Sequence, residues 1–349
     1  MKISASRFRL CLLTTPILFL CLGLALRTCR AQEPETGQDQ SVEKVKQRAY
    51  ASVGAVEEQG FERMKPPQPG EWLHSFPESP QSFEDLQRQR PVRPTAERRT
   101  IVLQPLGDWS DEQKKSLAAL REYAEVFFQL PARVAEPMEL KLADEKDMAR
   151  LTRLLPAGHR RGGNDRQWNA ELILDKLLKP RVPADVVACF GITHVDLWAR
   201  DHRGRDLNYV FGLGSLSERV GLYSLCRYHP SYWGQDPDPG DELVFLRRAF
   251  KVLNHEIGHV FGLQHCVFYR CSMNGSNSLS ETDSAPIHFC PVCHKKLHWC
   301  LGYDAEKRFR ALQKFYAEHK LDEEAEWIAR RLARYKEAHP TAPRRPPDE

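Results

Sequence analysis

A chain of 349 residues can bury one large core or two small ones. Its formal charge of +4 comes from the amino terminus: residues 1–31 hold Lys2, Arg7, Arg9, Arg27 and Arg30 and no acid, which leaves 46 basic against 47 acidic side chains beyond them. A remainder so close to neutrality gives no electrostatic footprint for nucleic acid or for an anionic membrane surface, and both are excluded as partners.

The basic residues Lys2, Arg7 and Arg9 precede an apolar stretch from Leu10 to Leu26, and the small Ala31 offers a cleavage position before Gln32. Residues 1–31 therefore read as a signal peptide or an uncleaved amino-terminal anchor. Export follows as the expected location (secreted, periplasmic or membrane-anchored), with a cytoplasmic one only if this segment is no signal. Any membrane contact is expected through it alone. Residues 32–98 carry eight of the 24 prolines and many Gln and Glu, the composition of a linker or extended arm. Trp72, Leu73, Phe76, Phe83 and Leu86 are apolar exceptions that can pin residues 72–90 onto the protein's surface.

The organised region is expected over 99–338. Thr100–Leu106 is strand-like, Glu112–Leu130 has helical apolar spacing, 138–142 reads as a short strand and 168–178 as a helix. Between the last two, Arg153–Asn164 is basic and glycine-containing, a surface loop. Asp185–Thr193 reads as a buried strand, and Tyr209–Leu213 and Val220–Leu225 as two more, parted by a polar turn. Tyr228, His229, Tyr232 and Trp233 form an aromatic cluster ahead of the next helix.

That helix is predicted to start at Asp238 as cap and Pro239 at the first position, with Asp241 and Glu242 suiting the positive end of the dipole. Leu243, Leu246, Phe250, Leu253, Ile257 and Phe261 recur at spacings of three and four and anchor it in a core. Its last two turns carry His255-Glu256-Ile257-Gly258-His259, followed by Gly262 and His265. One turn apart on a helix, His255 and His259 project from the same face, so both imidazoles can bind one Zn²⁺. Glu256 sits where a carboxylate can take a proton from water at the metal. Gly262 can adopt a positive φ, ending the helix and swinging the chain so that His265 reaches the same ion. Three neutral nitrogen ligands leave a fourth position for water, as a catalytic zinc site requires.

Directly after His265 come Cys266 and Cys271, then Cys290-Pro-Val-Cys293. Two cysteine pairs separated by a loop supply four thiolates, the usual composition of a closed structural zinc site. In an oxidising compartment the same residues can form two short disulfides instead. Cys189, Cys226 and Cys300 read as buried small apolar residues, with Cys300, near His294 and His298, as an alternative ligand.

This combination is the metzincin type of peptidase signature, and with the four cysteines it resembles the archaemetzincin family. Thr100–Gly107, Asp196-Leu197 and Asn208–Gly212 are similar to segments of that family as well. The resemblance spans about residues 75–335 and is strongest from 243 to 297. It implies His255, His259 and His265 as ligands of a catalytic zinc, Glu256 as general base, Met273 as the methionine of the turn beneath the metal, and Cys266, Cys271, Cys290 and Cys293 as ligands of a second zinc. The fold it implies is an α/β (α+β) zincin fold of the metzincin kind, a twisted mixed sheet with an active-site helix and a carboxy-terminal subdomain holding the second site. It also implies that the strand just before the active-site helix, by position Val220–Leu225, lines the cleft and pairs with an extended substrate.

Asp304–His339 reads as two charged helices broken near Leu321, and residues 339–349 as a proline-rich disordered tail. The expected function is a zinc-dependent metallopeptidase acting as a monomer on a peptide or protein substrate, with two zinc ions per chain. Two rivals remain open: a degenerate zinc-binding interaction module, and a zinc-dependent hydrolase of a non-peptide substrate. Residues alone do not distinguish trimming of amino termini from cutting within chains.

Overall fold

Val186–Thr193 is buried at every position, which an alternating strand with one wet face would not be. The computed structural model, which describes residues 36–53, 55–155, 165–200, 204–214 and 218–339, shows why: the sheet holding this strand is covered on both faces. The expected leader and tail, and most of the Arg153–Asn164 loop, lie outside the described residues. No described helix is long and apolar enough to cross a membrane.

The described part of the segment expected as a linker contains four helices, α1 (Thr36–Ala51), α2 (Ala55–Glu58), α3 (Trp72–Ser75) and α4 (Phe83–Arg88). It is tied to the body at several points. Leu86 is completely buried, Phe61 packs on the main core, and Met64 N donates to Phe268 O at 2.9 Å. Apolar side chains spaced singly along a proline-rich stretch build no core of their own; each one needs a pocket supplied by the rest of the chain.

The body begins with β1 (Thr100–Leu106), α5 (Asp111–Phe128) and β2 (Ala132–Val134). Ser110 and Gln113 form a reciprocal capping box at the start of α5. The strand expected at 138–142 is reduced to one bridge, Met138 with Leu106, because pairing with β1 is already made by β2 upstream. Then come α6 (Glu145–Arg150), β3 (Thr152–Leu154), β4 (Arg166–Asn169) and α7 (Ala170–Leu172), which continues as a π-helical stretch over Ile173–Leu178. The helix therefore starts later than its expected 168, since Trp168 and Asn169 pair in a sheet and Asn169 then caps α7 by accepting from Leu172 N at 2.9 Å. After β5 (Val186–Thr193), β6 (Leu197–Trp198), β7 (Gly212–Gly214) and β8 (Val220–Ser224) comes α8 (Asp241–Val260). It begins at Asp241 rather than at Pro239: Asp238 accepts from Gly240 N at 2.8 Å in a turn before the helix. The chain closes with α9 (Leu279–Ser284), α10 (Pro291–Leu301), α11 (Ala305–Glu318) and α12 (Asp322–Ala338).

Strands β2, β1, β5, β8 and β7 form one mixed sheet in that order, with β7 alone antiparallel. One face carries Ile101, Leu103, Phe190 and Tyr223 against α5 and α8; the other carries Leu106, Val220 and Leu222 against the π-helical stretch. A second sheet of β3, β4 and β6 lies alongside. Strand β8 is thus interior, with β5 on one side and β7 on the other. The sheet's edges among the described residues are β2 and β7, so the edge at this end is β7, not β8, the strand just before α8.

Candidate metal centre and cleft

Burial of Phe250, Leu253, Ile257 and Phe261 fixes the roll of α8, and this turns His255 and His259 toward a cleft. Gly262 follows with φ +80°, and its N–H donates to His259 O at 2.8 Å, closing the helix. A β-carbon there would stand 2.7 Å from Pro91 Cβ, so space as well as φ calls for glycine. The reversal brings His265 back beside the other two, and one ring nitrogen from each of the three lies within 4.8 Å of the others.

The second nitrogen of every ring is already engaged. His255 Nδ1 lies 3.0 Å from Ser272 O, His259 Nδ1 2.7 Å from Leu263 O, and His265 Nδ1 2.7 Å from Glu78 Oε1. All three acceptors are oxygens, so each imidazole is fixed with its proton on Nδ1 and its lone pair on Nε2. The Nε2 atoms of His255 and His259 face each other at 3.0 Å. Burial, then the neighbouring imidazoles, hold the pKa of His255 well below the ordinary range; burial pushes His259 down to about 3. Neutral rings with converging lone pairs are the donor set zinc takes.

Glu256 is buried beside them, and burial raises its carboxyl to about 8. Strand β7 passes over it without side chains on the facing positions. A β-carbon at Gly212 would stand 2.9 Å from Glu256 Oε1, and one at Gly214 would stand 2.8 Å from Glu256 O. Below the histidines, Met273 is fully buried and fills the space left by Gly258, where a β-carbon would collide with Met273 Sδ.

The four cysteines form a second group. Cys266, Cys271, Cys290 and Cys293 are all buried with their sulfurs within 4.8 Å of one another, and no bond joins any two. The sulfur 3.6 Å from Cys266 is that of Cys290, across the loop, rather than that of its sequence partner Cys271. Backbone N–H groups of Met273 and Cys290 point at Cys271 Sγ at 3.4 and 3.2 Å, and that of Cys293 at Cys290 Sγ at 3.4 Å. At Cys266 burial opposes ionisation, but hydrogen bonds from the other three thiols outweigh it and hold the group well below the usual thiol range. Four sulfurs around one point, with amide donors to two of them, suit a thiophilic cation. Cys300 is elsewhere, facing Phe261 O at 3.5 Å, while His294 stacks on Phe309 and His298 meets Tyr303 edge-on.

The histidines open onto a cleft of about 1370 Å³. Strand β7 and Tyr209 line one side, Lys251 and the Ser272–Pro286 segment another, and the arm from Glu62 to Glu78 a third. Of the residues that shape this site, Glu78, Trp72 and the two glycines of β7 are not recognised from the sequence. Gly212 and Gly214, two apart on one strand face, carry a usable signal for close backbone approach. A single glutamate in a proline-rich stretch carries none.

The profile of Peptidase family M54, a family of zinc-dependent peptidases, matches residues 149–299, which include all three histidines and all four cysteines. Archaemetzincin-2 of Homo sapiens is 31% identical over 282 residues, 73% of this chain and 74% of that one. The archaemetzincin of Thermococcus kodakarensis is 39% identical over 114 residues, 33% and 57% of the two chains. The crystal structure of the archaemetzincin from Methanopyrus kandleri covers 59% of this chain and 97% of its own, with 26% identity and a TM-score of 0.42. The class of protein is a zinc metallopeptidase of mixed α/β fold. Within it, the chain belongs to the archaemetzincin family.

Proposed function

We propose that the chain hydrolyses peptide bonds at a zinc held by His255, His259 and His265, with Glu256 as the general base. The observation that carries this reading is the arrangement of the three rings: every Nδ1 is spent on an oxygen, and the remaining nitrogens converge beside a buried carboxylate on the floor of a cleft. Zinc, when bound, supplies polarisation of the scissile carbonyl and lowers the pKa of the attacking water toward about 7. Glu256 takes the proton that the water gives up as it attacks, and passes it to the amine nitrogen as the C–N bond breaks.

An extended substrate fits along β7, whose outer edge has no partner strand among the described residues and whose glycines bring backbone close to Glu256. Main-chain pairing there needs no particular substrate side chain. Cys266, Cys271, Cys290 and Cys293 hold a second, structural zinc in this proposal. The rival reading as an interaction module gives no role to a buried Glu256 beside the three histidines.

The test is Glu256→Gln. An amide cannot accept the proton, so peptide turnover falls by at least about 10²-fold, while zinc content stays at the wild-type value because Glu256 is not a ligand. Undiminished peptide cleavage by the variant would overturn the assignment.

A further inference from the structure

The third histidine is held unlike the first two. His255 and His259 are oriented by backbone carbonyls of Ser272 and Leu263, which any sequence folding this way would supply. His265 is oriented by a side chain, the carboxylate of Glu78, which lies 187 positions earlier in the chain. The arm that carries Glu78 is fastened around that contact. Trp72 Nε1 donates to the same Glu78 oxygen at 2.9 Å, its indole meets the His265 ring edge-on with centroids 5.3 Å apart, and its backbone N–H donates to Glu281 Oε1 at 2.8 Å. Gly275 leaves room for the indole, since a β-carbon there would collide with it. Three residues on, Gln81 Nε2 donates to Gly262 O at 2.8 Å and Gln81 Oε1 accepts from Gln264 N at 3.2 Å, so the arm grips the reversal that presents His265.

The charge on Glu78 is also left to this site. Among the described residues no lysine or arginine pairs with it; the donors to its Oε1 are His265 Nδ1 and Trp72 Nε1, and its second oxygen is buried without a hydrogen bond. A partly buried carboxylate so placed is balanced by the imidazole it contacts, and more fully when that imidazole carries a share of a metal's charge.

We propose that Glu78 is a positioning residue of the metal centre: it locks the Nδ1–H tautomer of His265, aims Nε2 at the ion and increases the ring's basicity, so that the amino-terminal arm completes the zinc site. This rests on the reading of the three histidines as a zinc site. The arm lies before residue 149, where the family profile begins, so the peptidase unit in this chain includes residues that the profile does not.

Glu78→Gln separates position from packing. The amide oxygen still accepts from Trp72 and His265 at nearly the same volume, but without charge. Zinc is titrated against a chromophoric chelator in the full-length protein, with melting of the metal-depleted protein as the second readout. The expected result is that the more labile zinc binds about 10- to 100-fold more weakly in Glu78→Gln and weaker again in Glu78→Ala, while the metal-depleted Glu78→Gln protein melts as wild type does. Wild-type protein with a labile zinc that Glu78→Gln holds within about two-fold would overturn this inference alone. Wild-type protein with no labile zinc would overturn the zinc reading of the histidines together with it.

Discussion

A histidine can offer either ring nitrogen to a metal, and which one is offered depends on what the other touches. In this protein the choice is made three times by an oxygen at Nδ1, twice from the backbone and once from Glu78. The same reliance on full pairing appears away from the cleft floor. Asp196 is almost completely buried and accepts from Arg227 Nε and Nη2, both at 2.7 Å, and from Gln167 Nε2 at 3.0 Å. It thereby joins the segment after β5 to the segment after β8 and to β4. Removing one member of a buried pair leaves the other charge uncompensated, which outweighs what forming the pair contributes. Asp196→Ala is therefore expected to cost about 3–5 kcal/mol of folding stability. Urea unfolding measures it as a lower midpoint at an unchanged m-value. A loss under about 1 kcal/mol would mean that Arg227 finds water on its own.

At the scale of elements, the cleft is made by the fit of β7 over α8. A three-residue edge strand is short, and its two glycines let it approach the helix closely enough to place backbone beside Glu256 and His259. Gly214→Ala sets a β-carbon 2.8 Å from Glu256 O and 3.1 Å from His259 Cβ, so the strand must lift from the helix. A shift of about an ångström at reacting groups is expensive, and kcat/KM is expected to fall at least about 10-fold with bound zinc retained. Kinetics beside metal analysis check it; wild-type kcat/KM would show that the substrate path does not depend on this approach. The stripe along α8 was legible in the sequence because period and burial coincide, whereas the start of the helix was not: Asp238 caps a turn rather than the helix, since Gly240 intervenes.

For the whole molecule, two donor sets of different chemistry lie close together, joined through the adjacent residues His265 and Cys266. Three imidazoles with an open position release metal to a chelator sooner than four buried thiolates do. The protein is expected to bind two zinc ions, to lose one quickly on chelation, and to lose activity with that one. A mild, non-chelating reductant should leave activity and melting temperature unchanged, because thiolates around a metal have nothing to reduce. Loss of both on reduction, with one zinc equivalent by metal analysis, would mean that the cysteines are disulfides, and would strengthen the exported location that residues 1–31 suggest.

Much of the site could be read from the sequence because it is local. Helical spacing puts His255 and His259 on one face, a single glycine reverses the chain to His265, and the cysteine pairs follow within a short loop. Period-two and period-3.6 patterns marked most strands and helices for the same reason, that burial repeats with the backbone. Three things had no local signature. Edge and interior strands look alike in sequence when both are apolar, so position alone points to β8 as the strand lining the cleft although its neighbours on both sides occupy it. The choice between one four-sulfur site, which the spacing suggests, and two disulfides, which it leaves open, depends on how the loop closes. The arm has the composition of a linker because its apolar and acidic residues find their partners only in the folded body, and Glu78 reaches His265 across 187 residues. Spacing along the helix made the donor set of the site legible, and long-range packing decided which oxygens orient the three rings and which strand edges the cleft.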